Sequence, residues 1–557
     1  MKMQTPGYSR IIIVLSIVLL SACNSMPDHA RYIPKDAVVV AGINLKSLSK
    51  KIAWNVITGS KLFKEMQARI PEKNAKDAVS GIEKAGFDFS NTFYVYVKSD
   101  NRFKGGNRIT GLAPLSDAAE WETYLKTVFP KVAVQQHGDI KEASLGKDMY
   151  VGWNKNLLIV INVLPAAPDY NSLTGGDNKA QEQPSLDMTT ISAEMENAFK
   201  VTKENSIIGN SRFVTLEKEG HDITFWLNYE QLVGQMSGSL AEKMSLSVTG
   251  EIWKDAAFAT GVDFVKGKIT GDMHYYVSDA MKEIGVEMGA ANADKDMIER
   301  MPADNMDMMF AIHLSPKAIK LLLEKMNMLG LANLGLSTQG SSVDGVLDAF
   351  TGDMTFAMND FSLKSEKVVD SFMGMAVVHN NQKPSMTMSY VIKINKKENF
   401  QKLVKMVKDM GLQTMGSGFV IPISASDSVY ILMNDQYAIA SNKYAYATGF
   451  LEGKYKSQKK SDAVTSVVMG HPIAFFTDIQ QFCKNIDGSI TNSSQDSLMI
   501  NESKKLLNNI SLTGGSFSNN TFDYHMDINF LNKEENSIIA LMDYGMKMSD
   551  ANKARSN

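Results

Sequence analysis

Cysteine is almost absent, with only Cys23 and Cys483 in 557 residues. A disulfide framework is thereby excluded, and no Cys/His spacing of a zinc site can be assembled. Charge of one sign is lacking as well: 58 Lys and Arg stand against 61 Asp and Glu, for a formal net charge of -3. Without a clustered cationic surface to replace phosphate counterions, no nucleic-acid partner is expected. No phosphate-cradling glycine loop, nucleophile motif or set of metal-ligand spacings occurs, so no cofactor or metal site is expected and no catalytic residue can be named. Enzymatic activity stays open, because paired carboxylates need not share a local motif. Long apolar runs are missing too. The longest, Ile11 to Leu20, has ten residues, about half of what a membrane-spanning helix requires.

What is present is ordinary globular material, 44% hydrophobic and 21% charged. At roughly 100–200 residues per domain, the length suggests three or four units with substantial cores. The short apolar run follows Lys2 and Arg10 and ends in Leu20-Ser21-Ala22-Cys23. A basic start, a short apolar stretch and a small-residue cleavage site mark an export signal, and the last four residues match the bacterial lipobox. Residues 1–22 are therefore expected to be a lipoprotein signal peptide, and Cys23 the lipidation site, carrying diacylglyceryl and palmitate chains as a double anchor of the kind stable attachment needs. Membrane lipid is the expected partner, with an envelope protein or glycan as a further one. Residues 23–32 form a short tether. Asn24, rather than Asp, follows the anchor, which favours the outer membrane, and a periplasm-facing position is expected.

The chain resembles itself. Ile33 to Leu45 aligns with Met301 to Leu314, Pro34 and Asp36 falling on Pro302 and Asp304 before an apolar run. Asn44 and Ser315 are suited to cap the helices that follow, with Pro316 at the first helical position. Asp148 to Asn162 falls on Ser428 to Asn442 at an offset of 280, each half reading as a hairpin around Asn154 or Asn434. Upstream, Trp121 and Leu125 correspond to Phe400 and Val404 on amphipathic helices. Ile223 to Leu240 meets Ile473 to Ile490 at an offset of 250, with Asn228/Gln231 and Asp478/Gln481 at capping-box spacing and Gly238 and Gly488 as stops.

These matches predict an α+β fold made by tandem duplication, each half two subdomains of mostly antiparallel sheet with helices packed on one face. The expected layout is 33–165 for A1, 166–199 as linker, 200–290 for B1, 301–453 for A2 and 463–546 for B2. Pro165 to Ser185 has a composition that cannot bury enough surface to order itself. Ala291 to Arg300 and the Lys-rich stretch from Lys454 to Lys460 are the other expected connections.

Several residues invite chemistry. Met297, Met301, Met306, Met308 and Met309, with His313, offer thioethers for Cu(I), but core filling explains them more simply. Asp272 and His274 share one strand face, and their repeat counterparts His525 and Asp527 carry the same pair in swapped order. That pattern allows a metal or acid/base site if the two B segments meet, and also plain solvation of a strand. The acidic stretch from Asp294 to Asp307 and the Asp487-Gly488-Ser489 turn lack a calcium loop's spacing and read as a solvated connector and a helix-end turn. Cys483 falls in the apolar pattern of a helix, as an inert buried thiol does.

With its lipobox, short tether and the opening IPKDAVVVAGINLKSL, the chain resembles an uncharacterised family of lipoproteins from Bacteroides-like bacteria, domain of unknown function 4836. The resemblance implies an envelope location and a large α+β ectodomain. It carries no functional residue. The leading expectation is a non-enzymatic binding or scaffolding lipoprotein. An envelope-polymer hydrolase with dispersed carboxylates and a carrier of a hydrophobic ligand are the alternatives.

Overall fold

The computed structural model describes residues 26–60, 63–64, 81–98, 108–146, 149–163, 188–236, 250–372, 375–409, 411–416, 418–424, 427–486 and 494–556. Cys23, Gly238, Gly488, the Asp487 turn and the stretch from Pro165 to Ser185 lie outside them. Mixed α+β structure with extensive antiparallel sheet is what the chain adopts. Its residues divide into two compact units, one drawn from residues up to 54, 67–231 and 259–261, the other from 55–66, 232–258 and 262 onward.

The first unit contains β1 (Val39–Asn44), β2 (Thr92–Lys98), β3 (Arg108–Pro114), β4 (Gln135–His137), β5 (Ile140–Ser144), β6 (Met149–Trp153), β7 (Leu157–Val163) and β8 (Ile223–Asn228). Their order across the sheet is β8-β1-β2-β3-β7-β6-β5-β4, antiparallel at every step. Asn44 caps the helix Leu45–Lys51 by accepting from Ser47 N–H. Asp117 accepts from Ala119 and Glu120 N–H at the start of Ala118–Val128. That helix lays Trp121 and Leu125 on Val151, Trp153 and Leu158.

The second unit contains β10 (Lys268–Tyr276), β11 (Met306–His313), β12 (Phe350–Phe372), β13 (Met375–Ile394), β14 (Gln413–Met415), β15 (Gly418–Pro422), β16 (Ser428–Met433), β17 (Tyr437–Ser441), β18 (Ile473–Asp478), β19 (Leu507–Ser518) and β20 (Thr521–Phe530), preceded by β9 (Ala257–Val265). From β10 the order is β10-β20-β19-β18-β11-β12-β13-β17-β16-β15-β14, again antiparallel throughout. From β18 to β14 it runs as in the first unit with every strand number raised by ten.

Register follows order. Val39 faces Leu227 and Ile43 faces Ile223 in one unit, while Met308 faces Thr477 and Ile312 faces Ile473 in the other. The hairpins β6–β7 and β16–β17 turn on equivalent residues, Asn154 accepting from Asn156 and Leu157 N–H and Asn434 from Gln436 and Tyr437 N–H.

Three sequence expectations differ from what is observed. The division is into two units rather than four subdomains, because β8 and β18, assigned to the B segments, complete the sheets begun by β1 and β11. Helices cover both sheet faces: β6 and β7 are buried on either side, with Ala118–Val128 on one face and Met188–Phe199 on the other, where Met195 sits against Gly152. That second helix occupies the end of the expected linker 166–199, and Ile191 and Met195 are buried. Its i, i+4 apolar pair outweighs the polar composition of the preceding stretch.

Candidate functional site

The methionine tract forms core. Met297, Met301, Met306 and Met309 are buried among Phe450, Phe476 and Val391, and His313 turns to Asp353, its Nδ1 lying 2.9 Å from Oδ1. Cys483 is buried, and that burial pushes its thiol pKa up, which suits an inert group. The forward half of each capping box forms, Gln231 N–H donating to Asn228 and Gln481 N–H to Asp478.

The Asp/His pattern acquires a partner. β10 and β20 pair so that Asp272 faces His525 and His274 faces Asp523. Each imidazole Nδ1 lies 2.7 Å from the facing carboxylate, and Lys268 donates to Asp527 at 2.9 Å. The two B segments therefore meet along this ladder. Asp527 is taken by Lys268 rather than by His274. Among the described residues no group of three or more His, Cys, Asp or Glu is gathered to hold a metal. Cross-strand ion pairs of this exposure contribute sheet pairing.

The connector from Asp294 to Asp307 is not the solvated segment its charges suggested. Asp294 caps the helix Lys295–Glu299 and pairs with Lys393. Burial alone would raise the Asp296 pKa, but hydrogen bonds from Lys456, Arg300 and Tyr437 hold it well below the usual carboxylate range. At the end of the Lys-rich connection, Lys460 is buried and donates to Glu299 O at 2.7 Å.

The second unit departs from regular sheet at both ends of the β11–β12 pairing, and each departure adjoins a pocket. Bulges of this kind re-aim side chains next to functional sites. At one end register shifts occur between Met306 and Met308 and between Asn359 and Ser362, and Asp360 takes a φ of 59°. The bulged residue, Asp307, is fully buried, accepts from Phe361 N–H through Oδ2, and leaves Oδ1 without a partner among the described residues. Burial, with the charges of Asp360 and Asp478 added, pushes its pKa up to about 6. Beside it a pocket of about 130 Å³ is lined by polar Asn305, Lys460, Ser461, Asp478 and Gln481, among others.

At the other end register shifts between Phe350 and Met354. Gly352 lies there at a φ of 98°, where a Cβ would stand 2.2 Å from Leu314 O. Only glycine fits such a close approach. The pocket formed, about 190 Å³, is lined by Leu314, Pro316, Ile319, Leu347, Phe350, Gly352, Asp353, Met354 and Ile392. Asp353, the one ionisable residue among the described residues that line it, is engaged at both oxygens, by His313 and by Thr351 Oγ1. Helix Pro316–Lys325, capped by Ser315 as expected, forms one wall and helix Val343–Leu347 another. Such a pocket can hold an apolar group, and among the described residues that line it no acid, base or nucleophile stands free.

Neither pocket was read from the sequence, yet one trace of a bulge was there. Asp36 aligns with Asp304 at an offset of 268 and Leu45 with Leu314 at 269. The added residue falls in the β11 bulge.

The family model described as "Domain of unknown function (DUF4836)" matches residues 30–538. No curated protein matches. Among solved structures, crystal form III of TP0453 is 9% identical, with a TM-score of 0.25 over 45% of this chain and 81% of that one. Crystal form IV is 8% identical, with a TM-score of 0.24 over the same shares. No helix among the described residues is long and apolar enough to cross a membrane.

Proposed function

From the premise that the chain belongs to the DUF4836 family, we propose that it is a membrane-anchored cell-envelope lipoprotein that binds an apolar group without catalysing a reaction. The observation that carries the binding part is the pocket beside Gly352, walled by aliphatic and aromatic side chains. An engineered apolar cavity of about 150 Å³ stays dry and takes benzene, so a space of about 190 Å³ suits a short alkyl or aromatic group, or the end of a longer chain. Anchoring is carried by the Leu-Ser-Ala-Cys23 motif, and the outer membrane, facing the periplasm, is its proposed site.

The same reading includes descent by tandem duplication. Its support is that eight strands repeat in order and in register with their numbers raised by ten. Independent folds have no reason to share both. The second copy then differs by its two bulges, which accompany the pockets.

Titration with cis-parinaric acid, a fluorescent fatty acid, tests the binding reading. The expected result is saturable fluorescence enhancement, weakened by roughly tenfold or more in Ile319→Trp, whose indole fills the pocket. Unchanged circular dichroism would show that the variant folds. Absence of saturable binding, or equal binding by the folded variant, overturns the reading.

A further inference from the structure

Helix Leu329–Ser337 follows the pocket's wall helix, Pro316–Lys325, and shows an unusual outer face. Leu331 and Leu334 are 68% and 66% exposed, the most exposed leucines among the described residues. A Cβ built on Gly330 or Gly335 meets nothing within 4 Å. Positions 330, 331, 334, 335 and 338 share one side of an α-helix, and all five are exposed. The opposite side, with Leu329, Ala332 and Leu336, is half-buried. There Asn333 Oδ1 accepts from Val343 N–H at 2.9 Å, tying the helix to its neighbour. From Met326 to Val343 the chain carries no charge at all.

We infer that this face lies in a lipid surface, with Leu331 and Leu334 entering the apolar zone between headgroups and acyl chains. The inference rests on the anchored reading, which places a bilayer beside the protein. Two leucines flanked by glycines fall well short of the ~800 Å² per partner that a stable protein interface covers. A chain already tethered by acyl groups needs no such area, because the tether raises the local concentration of its own surface. An uncharged face also enters the interface without removing ions from water. Glycine on either side lets the leucines protrude and brings the helix backbone near the headgroups.

The test holds the mature chain, beginning at residue 23 and carrying Cys23→Ala, on vesicles through an N-terminal histidine tag bound to a small fraction of nickel-chelating lipid, so that every variant carries the same tether. On vesicles otherwise made of phosphatidylethanolamine and phosphatidylglycerol, the parent should resist release by imidazole roughly tenfold better than the Leu331→Glu/Leu334→Glu double variant. A single cysteine placed at 331 in a Cys483→Ser background and labelled with an environment-sensitive dye should shift to the blue on vesicle addition. Equal release of the parent and the folded double variant, or an unmoved dye spectrum on the tethered chain, each overturns the inference. Failure of the anchored reading is separately visible as absence of labelled palmitate on the native chain in cells.

Discussion

Asp307 brings a carboxyl into a bulge where one oxygen is held by Phe361 N–H and the other finds no donor. Its pKa rises from an ordinary 3.8 to about 6, so between these values the folded chain binds more protons than the unfolded one. Stability contributed by this group is therefore fully present below about pH 4 and is lost as pH rises through 6. Asp307→Asn keeps an acceptor for Phe361 and removes the charge. Chemical denaturation should show it stabilised by about 2–3 kcal/mol at pH 8 and indistinguishable from the parent at pH 4. A pH-independent difference would contradict this account. At this scale the sequence was informative where a residue's role is local: Asn44, Ser315, Asn228 and Asp478 cap because capping depends on neighbours within three positions. Asp307 was unreadable, since its surroundings come from β12 and β18.

Helices and hairpins with internal apolar spacing were legible for the same reason. Trp121 and Leu125 recur at i, i+4, and Asn154 turns its hairpin with its own side chain. Helix Met188–Phe199 was missed, because its identity depends on the sheet face it covers more than on its polar surroundings. Its seat is Gly152, where a Cβ would stand 2.5 Å from Met195 Sδ. Gly152→Val should push the helix away at a cost of about 1–3 kcal/mol. Hydrogen exchange of amides in 188–199 should then accelerate while those in β1 and β2 keep their protection. Uniform acceleration would mean that the helix is no separate element of stability. The β10–β20 ladder likewise joins residues 253 positions apart, Asp272 and His525, a pairing that a matched pattern hinted at and only the register decided.

For the whole molecule, similar segments were visible at constant offsets, while the grouping into units was not. β8 joins β1 and β18 joins β11, so contacts cross the boundaries that linker composition suggested. The proposed anchor belongs to this scale, because it would set where the entire chain resides. In cells fed labelled palmitate, the chain should take up label and sediment with membranes. Cys23→Ala should lose the label, with most of the protein moving to the soluble fraction or remaining as unprocessed precursor. Continued labelling of that variant would rule out Cys23 as the acylated residue.

By itself the sequence determined the antiparallel α+β class, the helix starts at Asn44, Asn228, Ser315 and Asp478, the hairpin turns, and which segments resemble one another. Each of these depends on spacing within a short segment or on two segments having the same core demands. Tertiary structure alone decided which strands lie side by side, that helices cover both faces, and that β12 leaves register at two places to open the Gly352 and Asp478 pockets. Pockets and bulges arise where separate segments compete for the same space, and that competition has no period along the chain.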